Sequence, residues 1–380
     1  MARIHDIDPT HLPERLGALP GIDVLRTVGE TVPAYLVGGA VRDLLLGRSR
    51  ADLDVVVEAD VAPLAKSLGG EVTSHDRFET ATVRLGDVVV DLARSRAESY
   101  PHPGALPEVR PAPVQEDLAR RDFTVNAMAL PLRGPAELID PHDGLHDLGL
   151  GLLRVLHPRS FIDDPTRALR AARYAARLDL ELEPNTAKQM AIIDLSSVSA
   201  DRVDAELRKI AAEDSAPRAL ELIREWRLAG IPEEAVGLTS TIQELARAAP
   251  WSEAADPVES IVALMETGPA AEAVREQARS LAGATPERPS DVVRAVGNAP
   301  PVAQLLGRAM GAAWLDDYVG RLRDVRLEID GGDLMSAGVP EGPAVGRGLV
   351  AALYAKLDGE ISGREDELNV ALAAAREVSG

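Results

Sequence analysis

The chain has no cysteine among its 380 residues, which excludes disulfide staples and thiolate metal sites. Aromatic residues are only 3% of a composition that is 46% hydrophobic, so buried cores must be built from Leu, Val and Ala, a palette that favours helices. No histidine follows His157, which removes the usual zinc ligand set from everything beyond it. No apolar run approaches the roughly 18 residues of a membrane-spanning helix, and the opening MARIHDIDPT is polar and unlike a secretion signal. A cytoplasmic protein with no membrane partner is expected. Basic residues are short as well: 41 Lys and Arg stand against 61 Asp and Glu, a net charge of −20. That balance argues against a generic nucleic-acid binder, since affinity for phosphate backbones comes mainly from Lys and Arg, and no DNA partner is expected. The deficit is uneven. Residues 151–230 hold 13 basic and 13 acidic groups, whereas residues 1–150 hold 15 and 24 and residues 231–380 hold 13 and 24. Any RNA contact should therefore be local and salt-sensitive.

What is present is organised around residues 36–54, LVGGAVRDLLLGRSRADLD. An apolar run ending at Val37 stops at Gly38-Gly39, and Val41, Leu44 and Leu45 follow at helical spacing with Gly47 as the stop: strand, glycine turn, helix. Two glycines let a backbone approach a ligand, N–H groups at a helix start attract phosphate, and Arg42 at that mouth suits a triphosphate. Next comes Asp52-Leu53-Asp54, running into Val55-Val56-Val57. Alternation along a strand puts Asp52 and Asp54 on one face and Leu53 on the other. Paired carboxylates are hard ligands for a dication, and beside a triphosphate that dication is Mg²⁺. Either motif alone is commonly a plain turn or a solvated strand end; in this order and spacing they are far more specific.

Beyond them the α/β pattern continues, with a strand at 55–57, a helix near 61–68 and strands near 80–85 and 88–92. Asp91 closes the run VVVD and is either a third metal-site carboxylate or a solvent-exposed strand end. Residues 95–113, rich in Pro, Arg and Glu, show no sustained period and read as a long loop, a lid or a disordered bridge. In residues 117–129, DLARRDFTVNAMA, the polar Arg120-Arg121-Asp122 can face a cleft while Phe123, Val125 and Met128 are buried. Asn126 can hydrogen-bond a ribose or a backbone, and Arg121 a phosphate.

GGAVRDLLLG with DLD, followed by RRDFTVNAMA, resembles the tRNA nucleotidyltransferase and bacterial poly(A) polymerase family, whose head is similar to DNA polymerase beta. Two further stretches fit. Residues 138–144, LIDPHDG, resemble the family's DPxxG link, and residues 161–173, FIDDPTRALRAAR, resemble its EDxxR nucleobase-reading helix, with Asp163 where Glu is usual. The resemblance covers residues 34–215 strongly and 320–370 weakly. By itself the helix beginning near Pro165 carries an arginine stripe: at about 100° per residue, Arg167, Arg170, Arg173 and Arg177 fall within roughly 120° of one another. A carboxylate and an arginine three residues apart can present an acceptor and donors to one base, and bidentate contacts discriminate bases by roughly 1–3 kcal/mol. An ordinary helix ion pair is the plain alternative.

The resemblance implies an α+β architecture: a polymerase-beta-like head of mixed sheet and helices over residues 1–153, then an all-α neck (154–229), body (230–305) and tail (306–380). It implies addition of CMP and AMP to the 3′ end of tRNA from CTP and ATP, with Asp52 and Asp54 holding Mg²⁺ and Asp91 beside them. Gly38, Gly39 and Arg42 would cradle the triphosphate, with Arg121 and Asn126 in the nucleotide site. Asp164 and Arg167 would read the base, with Arg170 and Arg173 nearby, and the tail would hold the tRNA elbow. Rival readings are a CC-adding or A-adding enzyme, a poly(A) polymerase, a small-molecule adenylyltransferase, and a catalytically idle RNA-binding protein. The acidic charge weighs against a poly(A) polymerase, the long helical remainder against a small acceptor, and the intact carboxylate pair against an idle scaffold.

Overall fold

The computed structural model describes residues 7–48, 52–75, 79–102 and 104–376, with Asp52 and His75 described for their main chain only. Two short helices, α1 (Leu12–Gly17) and α2 (Ile22–Thr31), come first. Ile22, Leu25 and Val28 of α2 are buried at three-residue intervals, so its apolar stripe faces inward. Then follow β1 (Ala34–Val37), α3 (Gly39–Leu45), β2 (Asp52–Val57), α4 (Val61–Ser67), β3 (Glu71–His75), β4 (Thr80–Leu85) and β5 (Val88–Arg94). With β8 (Ala129–Pro131) these strands form one six-stranded sheet in the order β3-β4-β5-β2-β1-β8, and every pairing is antiparallel except β2 with β5. This is the mixed-sheet head that was expected. A small core of Val37, Val56, Val114, Leu118 and Ala129 packs one face of it against α5 (Val114–Ala119).

Residues 95–113 depart from the expected loop. They form a separate hairpin, β6 (Arg96–Ser99) paired antiparallel with β7 (Glu108–Pro111). No residue of either strand is buried, so no apolar alternation marked them in the sequence.

After α6 (Gly144–Leu150), β9 (Leu152–Leu153) pairs with β10 (Glu181–Leu182), and between them lie α7 (Ser160–Asp163) and α8 (Arg167–Leu178). From there the chain is helical, through α9 (Pro184–Met190), α10 (Ala200–Ala211) and α11 (Ala216–Glu225) to a final helix pair, Pro343–Leu357 and Arg364–Arg376. Punctuation is local: Pro184 opens α9 and the Glu183 carboxylate accepts the Thr186 N–H as its cap. In the last pair Gly348 permits close approach, since a Cβ there would stand 2.6 Å from the Ala371 carbonyl oxygen.

Contacts divide the chain into two compact units, one holding everything up to Glu206 together with Leu222–Ala229, the other Leu207–Glu221 and everything from Gly230. Among the described residues no helix is long and apolar enough to cross a membrane.

Candidate active site

A cavity of about 540 Å³ opens on the head sheet, lined by Gly38, Gly39, Asp54, Thr82, Asp91, Glu98, Tyr100, Arg120, Arg121, Asp122, Asn126, Asp164, Arg167, Arg170 and Tyr174 among others. Nine of the residues picked out from sequence line it: Gly38, Gly39, Asp54, Asp91, Arg121, Asn126, Asp164, Arg167 and Arg170.

The acidic floor follows from strand geometry. Leu53 and Val55 are 1% exposed while Asp54 between them is on the open face, as alternation requires. Asp54 and Asp91 are register partners on the parallel strands β2 and β5, so their side chains emerge side by side at one strand spacing. Thr82 lies opposite Asp91 on β4 and donates its hydroxyl to Asp91 Oδ1 at 2.6 Å, which orients that carboxylate. Asp52 belongs to β2, where its main chain faces Val89, but its side chain lies outside the described residues. The donor set is hard oxygen only, which fits a hard divalent cation and not a softer ion. Among the described residues no group of three or more acidic or imidazole side chains is placed so that it could hold a metal ion. A two-carboxylate floor leaves coordination positions for phosphate and water, as Mg²⁺ sites usually do.

The glycine turn is built for closeness. Gly38 has φ +64° and ψ −128°, backbone that side-chain-bearing residues avoid, and a Cβ there would sit 2.7 Å from Arg121 Nη1. Its N–H is tied to the Met128 carbonyl at 3.1 Å, locking the turn to the strand that follows Asn126. Replacing Gly38 with alanine should lower stability by about 1–3 kcal/mol through backbone strain and push Arg121 off the cavity wall. Urea denaturation of both proteins checks the first effect and the Michaelis constant for nucleotide the second; an alanine variant equal to wild type in both would remove the turn from the site.

Arg121 is anchored through Nη2 to Asp117 Oδ2 at 3.1 Å, and Arg120 through Nη2 to Asp117 Oδ1 at 2.7 Å. Asp117 is fully buried; burial pushes its pKa up, but the guanidinium groups of Arg121 and Arg120 prevail and hold it below the ordinary value. Arg120 also reaches Glu98 Oε1 at 2.8 Å, and Tyr100 donates to Glu98 Oε2 at 3.1 Å. Burial, reinforced by Glu98, pushes the Tyr100 phenol up to about 12. The hairpin of β6 and β7 thus supplies two cavity residues, Glu98 and Tyr100, that no sequence pattern had indicated.

Two expected nucleotide contacts fall elsewhere. Arg42 is a correction: its side chain is fully buried and absent from the cavity wall. The guanidinium is consumed by Asp43 Oδ1, at 2.8 Å from Nη2, and by Asn126 Oδ1. It props up Asn126 from behind. Arg173 is also buried away from the cavity, with Nη2 3.6 Å from Glu206 Oε2. Three of the four stripe arginines gather around one ring, joined there by Arg42 of α3: Arg173, Arg177, Arg170 and Arg42 carry their guanidinium carbons 4.6, 5.3, 5.8 and 5.8 Å from the centroid of Tyr174.

On the opposite wall Asp122 joins the head to α8. Its Oδ2 accepts from Arg170 Nη2 at 2.6 Å and Nε at 2.9 Å, while Oδ1 accepts the buried Phe123 N–H at 2.9 Å. Burial opposes the charge, yet the Arg170 guanidinium outweighs it and holds Asp122 at about 2. Arg167 is 5% exposed; its Nη2 donates to the Arg120 carbonyl at 2.9 Å, and its buried Nη1 has no acceptor among the described residues. A buried guanidinium nitrogen left without a partner costs free energy unless a ligand meets it.

An acidic floor beneath a ring of guanidinium groups is what a nucleoside triphosphate with a dication requires. A family model for the poly A polymerase head domain matches residues 34–154. The chain is 40% identical over 227 residues to the A-adding tRNA nucleotidyltransferase of Halalkalibacterium halodurans, across 54% of this chain and 53% of that one. It is 35% identical over 359 residues to the CC-adding tRNA nucleotidyltransferase of Deinococcus radiodurans, across 91% of this chain and 90% of the relative. The chain belongs to the tRNA nucleotidyltransferase family. It spans about half the length of the A-adding relative and nearly all of the CC-adding one. Among solved structures, a CCA-adding enzyme in complex with CTP superposes with a TM-score of 0.75 at 27% identity, covering 97% of this chain and 98% of that one. Family membership accounts for the order of the motifs, and the cavity gathers residues that run in the chain from Val37 to Tyr174.

Proposed function

We propose that this member of the family adds CMP and AMP to the 3′ end of tRNA, completing CCA from CTP and ATP with release of pyrophosphate. The observation that carries this reading is the composition of the cavity: two register-paired carboxylates, Asp54 and Asp91, under Arg121, Arg167 and Arg170. Asp52 and Asp54 hold Mg²⁺, with Asp91 at their side; when bound, the ion lowers the pKa of the RNA 3′-hydroxyl and screens the charge of the leaving pyrophosphate. Gly38 and Gly39 let the backbone come close to the phosphates, and Arg121 supplies a fixed positive fork. Asn126, steadied by Arg42, faces the sugar. Asp164 and Arg167 read the base, the acceptor and the unpartnered donor of one wall. Arg170 is neutralised by Asp122 and shapes that wall. The tail, residues 306–380, holds the elbow of the tRNA.

A second reading, CC addition alone, is supported by the Deinococcus relative, whose match runs over nearly the full length of both chains. One experiment separates the two. Purified protein with Mg²⁺ is given tRNA transcripts ending before CCA, after C and after CC, with CTP, ATP or both. Growth to CCA followed by arrest supports the first reading, and arrest at CC the second. Addition of A to the CC-ended transcript alone makes the chain an A-adding enzyme; unlimited A addition makes it a poly(A) polymerase, and no product on any RNA refutes the family activity for this chain.

A further inference from the structure

Arg202 has no place in the site as described above, yet it grips one of its residues. From the first turn of α10 it donates from Nη2 to Asp164 Oδ1 at 2.7 Å and from Nη1 to the Gly104 carbonyl at 3.0 Å. Asp164 Oδ1 also accepts from Thr166 Oγ1 at 2.6 Å and Thr166 N at 3.1 Å. Three donors converge on a single oxygen, and among the described residues none reaches Oδ2. On the same cavity wall the buried Arg167 Nη1 has no acceptor among the described residues. Those two atoms, one acceptor and one donor, are the pair that a ligand can satisfy.

The other end of the tie is equally well seated. Gly104 lies between β6 and β7 with φ +70°, and a Cβ there would be 2.8 Å from the Ser197 carbonyl oxygen, so this backbone is pressed onto the segment leading into α10. A guanidinium can serve two acceptors at once because its donors are held in a rigid fork; an ammonium on a flexible stem cannot fix both. Without the fork, Asp164 keeps only the local contact to Thr166, and its carboxylate is free to turn toward Arg167 and close the pair on itself.

We propose that Arg202 is a positioning residue for base selection: by holding Asp164 Oδ1 it keeps Oδ2 apart from Arg167 and presents both to the incoming base, and it sets that carboxylate in register with the hairpin through Gly104. The inference rests on Asp164 and Arg167 being the base-reading pair. It assigns Arg202 no contact with substrate. Loss of the tie should therefore weaken discrimination and nucleotide binding while leaving the affinity for tRNA unchanged.

The test measures kcat/KM for each of the four nucleoside triphosphates in single additions by the full chain to a tRNA transcript that it extends. In Arg202→Met the preference for the correct nucleotide over UTP and GTP should fall by about tenfold or more, the scale set by one bidentate base contact. The loss should lie in KM for the nucleotide, with KM for tRNA unmoved. Arg202→Lys should fall between Met and wild type. Wild-type selectivity in a folded Arg202→Met protein overturns the proposal. Should the methionine variant fail to unfold cooperatively, Arg202→Lys carries the test, and undiminished selectivity there overturns it equally. Asp164→Ala, run in parallel, separates the two layers: if it retains selectivity, the base-reading pair itself falls, whereas lost selectivity in Asp164→Ala beside a normal Arg202→Met removes Arg202 alone.

Discussion

With Asp54 in the metal-holding role proposed above, alanine there should reduce nucleotide incorporation by at least about 10³-fold, because a lost metal ligand forfeits several kcal/mol of transition-state stabilisation and each 1.4 kcal/mol is a factor of ten. Asp54 stands exposed at the floor of the cavity, directly across from Asp91. Removing it takes a negative charge out of the cavity floor, so nothing in the change should weaken a grip on RNA, which depends on Lys and Arg. Filter binding of tRNA should stay within about threefold of wild type, within the scatter of a single surface-charge change. The same separation is expected at Asp52, the other member of the pair. Incorporation above a hundredth of wild type in Asp54→Ala, at saturating Mg²⁺, would take this carboxylate out of the metal site. Asp91→Ala tests the third position in the same assay, since Thr82 already orients that side chain.

At Asp122 the expected change is in stability. Alanine there strands the Arg170 guanidinium beside Glu206, 3.6 Å away, and leaves the buried Phe123 N–H without its acceptor. Breaking a buried ion pair from one side costs about 3–5 kcal/mol. The Asp122→Asn variant, which keeps an oxygen for the Phe123 N–H, should cost less, about 2 kcal/mol, the value of lowering the carboxyl from 3.8 to about 2. The sign with pH follows from that direction. The folded-state pKa lies below the unfolded one, so the stabilisation is fully present above pH 3.8 and is lost as the pH falls toward 2. Denaturant unfolding should show a constant gap between wild type and Asp122→Asn from pH 7 to pH 5, closing between about pH 4 and pH 2. A gap that stays the same at pH 2.5 would mean that the carboxylate charge is not what Arg170 responds to.

Much of the head was legible because its signals are local. The order of strand, glycine turn, helix and alternating acidic strand can be read from a few neighbouring residues, and Leu53 is buried where alternation puts it. The hairpin of β6 and β7 was not legible, since neither strand buries a face and nothing periodic is written into it. Arg42 was misplaced for a related reason. A charged residue one turn into a helix beside a phosphate turn suits a ligand contact, and only the fold shows Asp43 and Asn126 closing around it. Arg202 sits in an amphipathic helix that carries no motif, and its partners Asp164 and Gly104 lie 38 and 98 residues away.

The chain's residues by themselves determined the family, the mixed-sheet head with a helical remainder, and most of the carboxylates and arginines that line the cavity, because motif order, strand alternation and helix periodicity are short-range properties. Which of those side chains meet was decided by tertiary structure. The parallel pairing of β2 with β5 sets Asp91 beside Asp54, the packing of α8 on the head gives Arg170 to Asp122, and the closure of the core turns Arg42 inward. Such choices depend on strand register and on which guanidinium groups share which carboxylate, as Arg120 and Arg121 share Asp117, and neither is encoded within any single stretch of sequence.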